Sequence, residues 1–98
     1  MHRIGIIPFD VRDNTVALLC VTSHTRGRWI FPKGKIEPGE SHAETGQREA
    51  YEEAGVRGVV FEDFPTTVII GKQTQQGIQM NPVTYYPCLL YTSPSPRD

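Results

Sequence analysis

The strongest constraint on this chain is the segment Gly34–Val56, GKIEPGESHAETGQREAYEEAGV, in which glycines and carboxylates recur at short, fixed spacing. Its second half reads as a helix. Glu49, Glu52 and Glu53 stand at i, i+3 and i+4, so a helix places their three carboxylates on one face. Like charges repel, so we expect a cation between them, and a hard divalent ion with oxygen ligands fits best. The alternative is an ordinary solvated acidic face.

The surrounding residues extend this run into a longer pattern, G-x5-E-x7-R-E-x2-E-E-x-G, which spans Gly34–Gly55. All seven of its fixed positions match the Nudix box. The preceding segment, Arg28–Gly34 (RWIFPKG), is similar to a lead-in common in that family. The chain therefore resembles the Nudix hydrolases over most of residues 3–87. Within the family, these motifs look most like the diphosphoinositol polyphosphate phosphohydrolase and diadenosine polyphosphate hydrolase branch.

The resemblance implies a fold of the α+β class. This is a Nudix-type α/β/α sandwich with a mixed β-sheet and one Nudix-box helix, its C-terminal part missing. It also implies a metal-dependent pyrophosphohydrolase that cleaves a diphosphate bond. The substrate would be nucleoside diphosphate-linked, a dinucleoside polyphosphate or an inositol pyrophosphate. Two alternatives are a non-catalytic Nudix-fold binding module and an incompletely folding fragment of such an enzyme.

The resemblance also assigns roles to the charged residues of the box. It implies Mg²⁺, with Mn²⁺ as a second choice, bound by Glu49, Glu52, Glu53 and the carbonyl oxygen of Gly34. Glu49 is the preferred base for the attacking water, and the alternative is a base on a loop downstream of the box, where several members of the family carry it.

Arg48 joins the predicted catalytic set through a structural role. The resemblance implies that Arg48 pairs with Glu40 and holds the loop that contains Gly34 and Glu40 against the helix. The alternative is an exposed ion pair worth under about 1 kcal/mol.

A basic cluster precedes the box and is predicted to bind substrate. Arg26, which lies outside the residues that the structure describes, and Arg28, Lys33 and Lys35 lie close together in the sequence of a chain whose net charge is −1, which suits a phosphorylated small molecule. For Lys33, simple solvent exposure is an equal alternative. Trp29 is expected in the core more than in a pocket, because a lone aromatic residue in a strand usually packs inside.

Composition excludes several other classes of protein. Acidic and basic residues nearly balance among the 98 residues, which argues against a nucleic-acid polymer as partner. No apolar run reaches membrane-spanning length, so we expect no membrane partner. Cys20 and Cys88 make no disulfide framework, and a cytoplasmic, reducing setting is expected. Nothing in the sequence indicates the oligomeric state.

Local patterns predict the elements around the box. Ser41 and Glu44 form a capping box that begins the helix, and Gly55 ends it. Apolar runs predict a hairpin of strands 4–9 and 16–22. Further strands are predicted at 29–31, 59–64, 66–70 and 83–86. Loops are predicted at 33–40, which is rich in glycine and proline, and at 71–77 (GKQTQQG).

The last eleven residues, 88–98 (CLLYTSPSPRD), differ in character from the rest. They resemble the translation of a transposon-type sequencing adaptor. We therefore expect a partial Nudix domain at 1–87 and a non-native segment at 88–98.

Overall fold

The protein was studied as a computed structural model, which describes residues 2–23 and 27–91. A six-stranded mixed sheet, a two-stranded sheet and one helix make up the described part. The α+β class, with a mixed sheet and one box helix, is thereby confirmed. In chain order the elements are β1 Arg3–Arg12, β2 Thr15–Leu18, β3 Val21–Thr22, β4 Trp29–Ile30, β5 Lys33–Lys35, α1 His42–Ala54, β6 Gly58–Val60, β7 Thr66–Thr74 and β8 Gly77–Leu90.

Strands β1 and β8 form the centre of the large sheet. They pair in parallel, from Arg3 beside Val83 to Phe9 beside Leu89. Strands β2 and β5 add to β1, and β6 and β7 add to β8, all antiparallel. Ile4 and Ile6 are fully buried in this central pair, so the core lies where its two strands meet.

The predicted first hairpin is present, and its turn explains its register. Asp13 and Asn14 both have positive φ, 50° and 61°, as a tight two-residue hairpin turn requires. Strand β2 is shorter than the predicted 16–22 strand, because Val21 and Thr22 pair with β4 instead of β1.

Two predicted loops are partly strand. Lys33–Lys35 pair with Arg3–Gly5, so the loop predicted at 33–40 begins with β5. The loop predicted at 71–77 shrinks to residues 75 and 76, because β7 and β8 stay paired up to Thr74 and Gly77. In both cases pairing with a distant strand overrides a polar or glycine-rich local composition.

Helix α1 begins and ends as predicted. The Ser41 hydroxyl accepts a hydrogen bond from the Glu44 amide, the Glu44 side chain accepts one from the Ser41 amide, and Gly55 ends the helix at φ 69°. The helix packs closely on the sheet, since a Cβ on Gly46 would lie only 2.5 Å from Ile6 Cγ2. Ala50 joins Ile6 in the core. The helix therefore covers the sheet face that carries Ile6.

Strand β8 continues beyond Pro87. Cys88 and Leu89 lie beside Pro8 and Phe9 of β1, so the first residues of the segment 88–98 belong to the sheet. Residues 92–98 lie outside the described part, and the non-native origin of 88–98 stays a prediction. Within the described residues, no helix is long and apolar enough to cross a membrane.

Candidate active site

The carboxylate-bearing face of α1 lies against strand β5. Gly34 pairs with Ile4 of β1, and the Glu49 carboxylate lies directly over its Cα. A Cβ at position 34 would overlap that carboxylate, so only glycine fits this arrangement. The glycine of the box therefore makes room for a glutamate of the box.

Arg48 is the centre of the hydrogen-bond network around the box. Its guanidinium donates to both carboxylate oxygens of Glu40, at 2.7 and 3.0 Å. It also donates to the Lys35 carbonyl at 2.9 Å, which ties β5 to the helix. Further bonds reach Glu49 at 2.8 Å and Glu52 at 3.4 Å. One side chain thus holds the loop, the strand and two of the predicted metal ligands.

Glu40 is held from three sides. Besides Arg48, the Thr45 hydroxyl donates to it at 2.9 Å and the Glu37 amide at 3.0 Å. The Arg48 guanidinium, followed by the Glu37 amide, lowers the pKa of Glu40 to about 2. Thr45 is fully buried beneath this contact. No motif in the sequence pointed to Thr45 as a partner of Glu40. Its position one turn before Arg48 on the helix is only a weak signal for this contact.

Glu49 and Glu53 are in contact with each other. Burial, followed by the hydrogen bond and charge of Glu49, raises the pKa of Glu53 to about 7. The Lys33 backbone opposes this shift by hydrogen bonding to Glu53. Glu49 is only 13% exposed, whereas Glu52 is 56% exposed. Two neighbouring carboxylates that resist joint ionisation are a place where a cation would be stabilising.

These residues fit a hard divalent cation in their chemistry, because all of their donors are carboxylate or carbonyl oxygens. Across residues 2–23 and 27–91, no three His, Cys, Asp or Glu side chains already converge as metal ligands. Glu49 and Glu52 instead hydrogen bond to Arg48. The Glu49–Glu53 pair and the cleared space above Gly34 nevertheless supply adjacent carboxylate oxygens, the donors that Mg²⁺ prefers.

A groove of about 730 Å³ opens beside these carboxylates. Lys33, Glu52 and Glu53 all line this groove. A predicted substrate-binding residue and two predicted metal ligands therefore face the same groove. The remaining lining residues, which the sequence analysis did not identify, are Val21, Thr22, Ser23 and Ile30.

Three other residues highlighted by the sequence lie outside this groove. The Lys35 side chain is exposed, and its contribution to the network is its backbone carbonyl. Arg28 lines a separate cavity. Trp29 is 73% exposed, so the expectation that it lies in the core is wrong. Among the described residues, its strand β4 pairs with the short β3 and lies outside the large sheet.

The overlap at position 34 gives a first prediction. Gly34→Ala is expected to displace the Glu49 carboxylate, to destabilise the protein by about 1–3 kcal/mol and to abolish divalent-cation binding. Thermal melting with and without Mg²⁺ measures both effects.

A double-variant cycle separates this overlap from a general cost of alanine. Removing the carboxylate in Gly34→Ala/Glu49→Ala should restore part of the stability, so the two changes should be non-additive. If the two changes in the free energy of unfolding simply add, the Cβ at position 34 does not clash with the Glu49 carboxylate.

The family model for the NUDIX domain matches residues 1–91. The chain therefore belongs to the NUDIX family, and the resemblance found in the sequence is confirmed.

Two relatives are similar over about half of the chain. Bis(5'-nucleosyl)-tetraphosphatase [asymmetrical] from Sus scrofa is 48% identical over 63 residues, which cover 57% of this chain and 43% of the relative. Diphosphoinositol polyphosphate phosphohydrolase 3-alpha from Homo sapiens is 49% identical over 56 residues, 57% of this chain and 34% of the relative. The chain thus spans less than half the length of either relative.

A solved structure shows the same fold. The C. elegans Ap4A hydrolase in a binary complex superposes with a TM-score of 0.73 at 22% identity, and the match covers 96% of this chain and 68% of that one. At this identity the likeness establishes the fold alone. It confirms the Nudix-type fold predicted from the box.

Proposed function

We propose that this chain is a divalent-metal-dependent hydrolase of phosphoanhydride bonds, with Mg²⁺ as the preferred ion and Mn²⁺ as a substitute. The observation that carries the proposal is the Glu49 carboxylate over Gly34, with Glu53 beside it at the edge of a groove that Lys33 also lines. Carboxylates that would bind a cation therefore lie next to a lysine that would bind a phosphate.

Each residue has a distinct task in this proposal. Glu49, Glu52, Glu53 and the Gly34 carbonyl would hold the ion, which when bound neutralises phosphate charge and makes water more acidic. Lys33 binds a phosphate oxygen as a point charge. Glu49 accepts the proton of the attacking water, because its side chain is only 13% exposed and lies next to Glu53.

Arg48 contributes by position. Its bonds to Glu40 and Lys35 fix α1 against β5, which sets the distance between the carboxylates and Gly34. Its additional bonds to Glu49 and Glu52 keep those side chains near one another and partly neutralised. Without a cation, this arrangement lowers the electrostatic cost of holding three glutamates on one helical face.

The substrate class proposed here is a phosphorylated small molecule with a diphosphate bond. The names of the two relatives describe a dinucleoside tetraphosphate and diphosphoinositol polyphosphates as their substrates. These two classes and nucleoside diphosphate-linked compounds form the substrate panel for the test.

The decisive variant is Glu52→Gln, which keeps the shape of the side chain and removes its charge. We expect Mg²⁺-dependent release of phosphorylated product to fall by at least about 100-fold, the usual scale for removing one electrostatic stabiliser from an active site. Product release from the panel is measured by chromatography. The matched control is Glu62→Gln, an exposed glutamate in the turn after β6, which should retain full activity.

Two outcomes would contradict the proposal. Full activity in Glu52→Gln would exclude this carboxylate from the reaction. Tight binding of panel compounds without product release in the wild type would identify a binding module instead of an enzyme.

A further inference from the structure

Strands β7 and β8 form a two-stranded ribbon that extends beyond the rest of the large sheet. Strand β1 pairs with β8 from Val83 onward, and β6 pairs with it farther along, at 88–90. Among the described residues, the first part of β8, 77–82, therefore has β7 as its one partner strand. All nine residues of β7 are exposed. Because a ribbon of two strands is marginally stable by itself, this part of the protein would gain from a further strand.

The outer edge of β7 is open to such a strand. In the part of the chain that the structure describes, β7 pairs with β8 alone. Alternate residues of a strand in an antiparallel pair direct their backbone amide and carbonyl groups away from the partner strand. The outer edge of β7 therefore presents a row of hydrogen-bond donors and acceptors, which is a template for strand pairing.

This edge differs from edges that are protected against pairing. Protected edge strands are short or bulged, or they carry prolines or several charges. Strand β7 has the sequence TTVIIGKQT, with Lys72 as its one charged residue, and its register with β8 is regular over all nine residues. The edge strand on the other side of the sheet, β2, has only four residues. The observations thus favour β7 as the edge that pairs.

Exposed apolar side chains lie beside this edge on one face of the ribbon. Gly71 pairs with Met80, and Ile69 and Ile78 each lie two residues before them, so all four positions share a face. Ile69, Ile78 and Met80 are 63%, 72% and 60% exposed. A Cβ on Gly71 would lie 3.3 Å from the Met80 sulfur and 3.5 Å from Ile78 Cγ2. Gly71 therefore leaves an apolar notch between these two side chains.

Strand β7 is complementary to a second copy of itself. Ile70 is the middle residue of the strand, so antiparallel pairing about a two-fold axis at Ile70 uses all nine residues. In this register Ile69 lies opposite Gly71 of the second copy and fills its apolar notch. Lys72 lies opposite Val68 of the second copy, so the two lysines do not face each other across the pair.

We propose that the outer edge of β7 pairs with β7 of a second copy of this chain, which joins two large sheets into one. A strand of nine residues is about 30 Å long, and two such strands with their side chains bury on the order of 1,000 Å², the lower limit for a specific interface. The dimer is therefore weak, with a dissociation constant in the micromolar range. Because the contact is the same patch on both copies, association stops at two.

Sedimentation velocity over a concentration series of the intact chain tests this dimer. The wild type should shift from monomer to dimer. Ile70→Lys places two like charges opposite each other on the axis and should raise the dissociation constant by at least about tenfold, and Ile70→Glu should do the same. The matched control is Val16→Lys, which adds the same charge to an exposed β-branched residue on the other edge strand and should leave the dissociation constant unchanged.

Mixing the two variants at position 70 distinguishes lost pairing from lost folding. An equimolar mixture of Ile70→Lys and Ile70→Glu should form the dimer again, because opposite charges then meet on the axis. Circular dichroism should show both variants folded, since every residue of β7 is exposed. A wild type that stays monomeric, a dimer insensitive to Ile70→Lys, folded variants whose mixture stays monomeric, or growth beyond two copies would each overturn the proposal. None of these outcomes depends on whether the chain hydrolyses a substrate.

Discussion

Arg48→Ala is expected to destabilise the protein by about 1.5–3 kcal/mol, the scale of hydrogen bonds to charged groups, and to remove the proposed hydrolytic activity. The guanidinium is 22% exposed and satisfies Glu40, which is 18% exposed, and Glu49, which is 13% exposed. Removing one partner from such a group of charges leaves the others without compensation, which costs far more than an exposed pair contributes. Chemical denaturation and the hydrolysis assay measure the two losses.

Two further variants test the physical reason for that loss. Arg48→Lys should recover little, because an ammonium group cannot reproduce the fork that bonds Glu40 twice and also reaches the Lys35 carbonyl. Arg12→Ala, which removes an exposed pair with Asp10, should cost less than about 1 kcal/mol. Equal losses of unfolding free energy in Arg12→Ala and Arg48→Ala would show that the Arg48 network stabilises the protein no more than an exposed ion pair does.

Glu53→Gln is expected to have opposite effects on activity and on stability. Mg²⁺-dependent hydrolysis should fall by at least about 100-fold with the loss of a charged ligand. The metal-free protein, in contrast, should become more stable at pH 8, because the neutral amide no longer repels Glu49. Hydrolysis assays and thermal melts in a chelating buffer provide the two measurements.

The stability effect should depend on pH with a definite sign. Glu53 has a pKa of about 7 in the folded protein against 4.5 for a glutamate free in water, mainly through burial and then through Glu49. Its stabilising contribution is therefore fully present below pH 4.5 and is lost as the pH rises through 7. Between pH 5 and 8 the wild type should lose on the order of 1 kcal/mol relative to Glu53→Gln, after allowance for solvent screening.

Added Mg²⁺ provides the control for this interpretation. It should stabilise the wild type at pH 8 by mass action and leave Glu53→Gln nearly unaffected. A variant that is less stable than the wild type at every pH, with or without Mg²⁺, would show that Glu53 is a structural residue with no role in cation binding.

The box helix and its bracing loop could be predicted because their determinants are local. Ser41 and Glu44 cap the start of the helix and Gly55 caps its end, so both ends are determined by nearby residues. Glu40 and Arg48 are only 8 residues apart in the chain. On a regular helix, the spacing of charged residues in the sequence predicts which of their side chains are neighbours.

The rest of the site depends on contacts that local patterns do not encode. Lys72 reaches the same cavity as Arg3 only through the register of β7 on β8 and of β8 on β1. Trp29 is exposed because it lies in the short β3–β4 pair, outside the large sheet. Sheet register between distant strands determines the position of Lys72, and a one-residue slip would send its side chain to the opposite face.

The parallel β1–β8 pair has a consequence for how the protein is made. Arg3 and Val83 are neighbours in the sheet, yet nearly the whole chain lies between them. Such long-range pairing slows folding, because the ends of a long loop must meet before any contact is gained. During synthesis the glutamate helix leaves the ribosome after β1, on whose Ile6 it packs, and well before β8. The helix and its first packing partner are therefore translated early, whereas the central pair of the sheet is completed late.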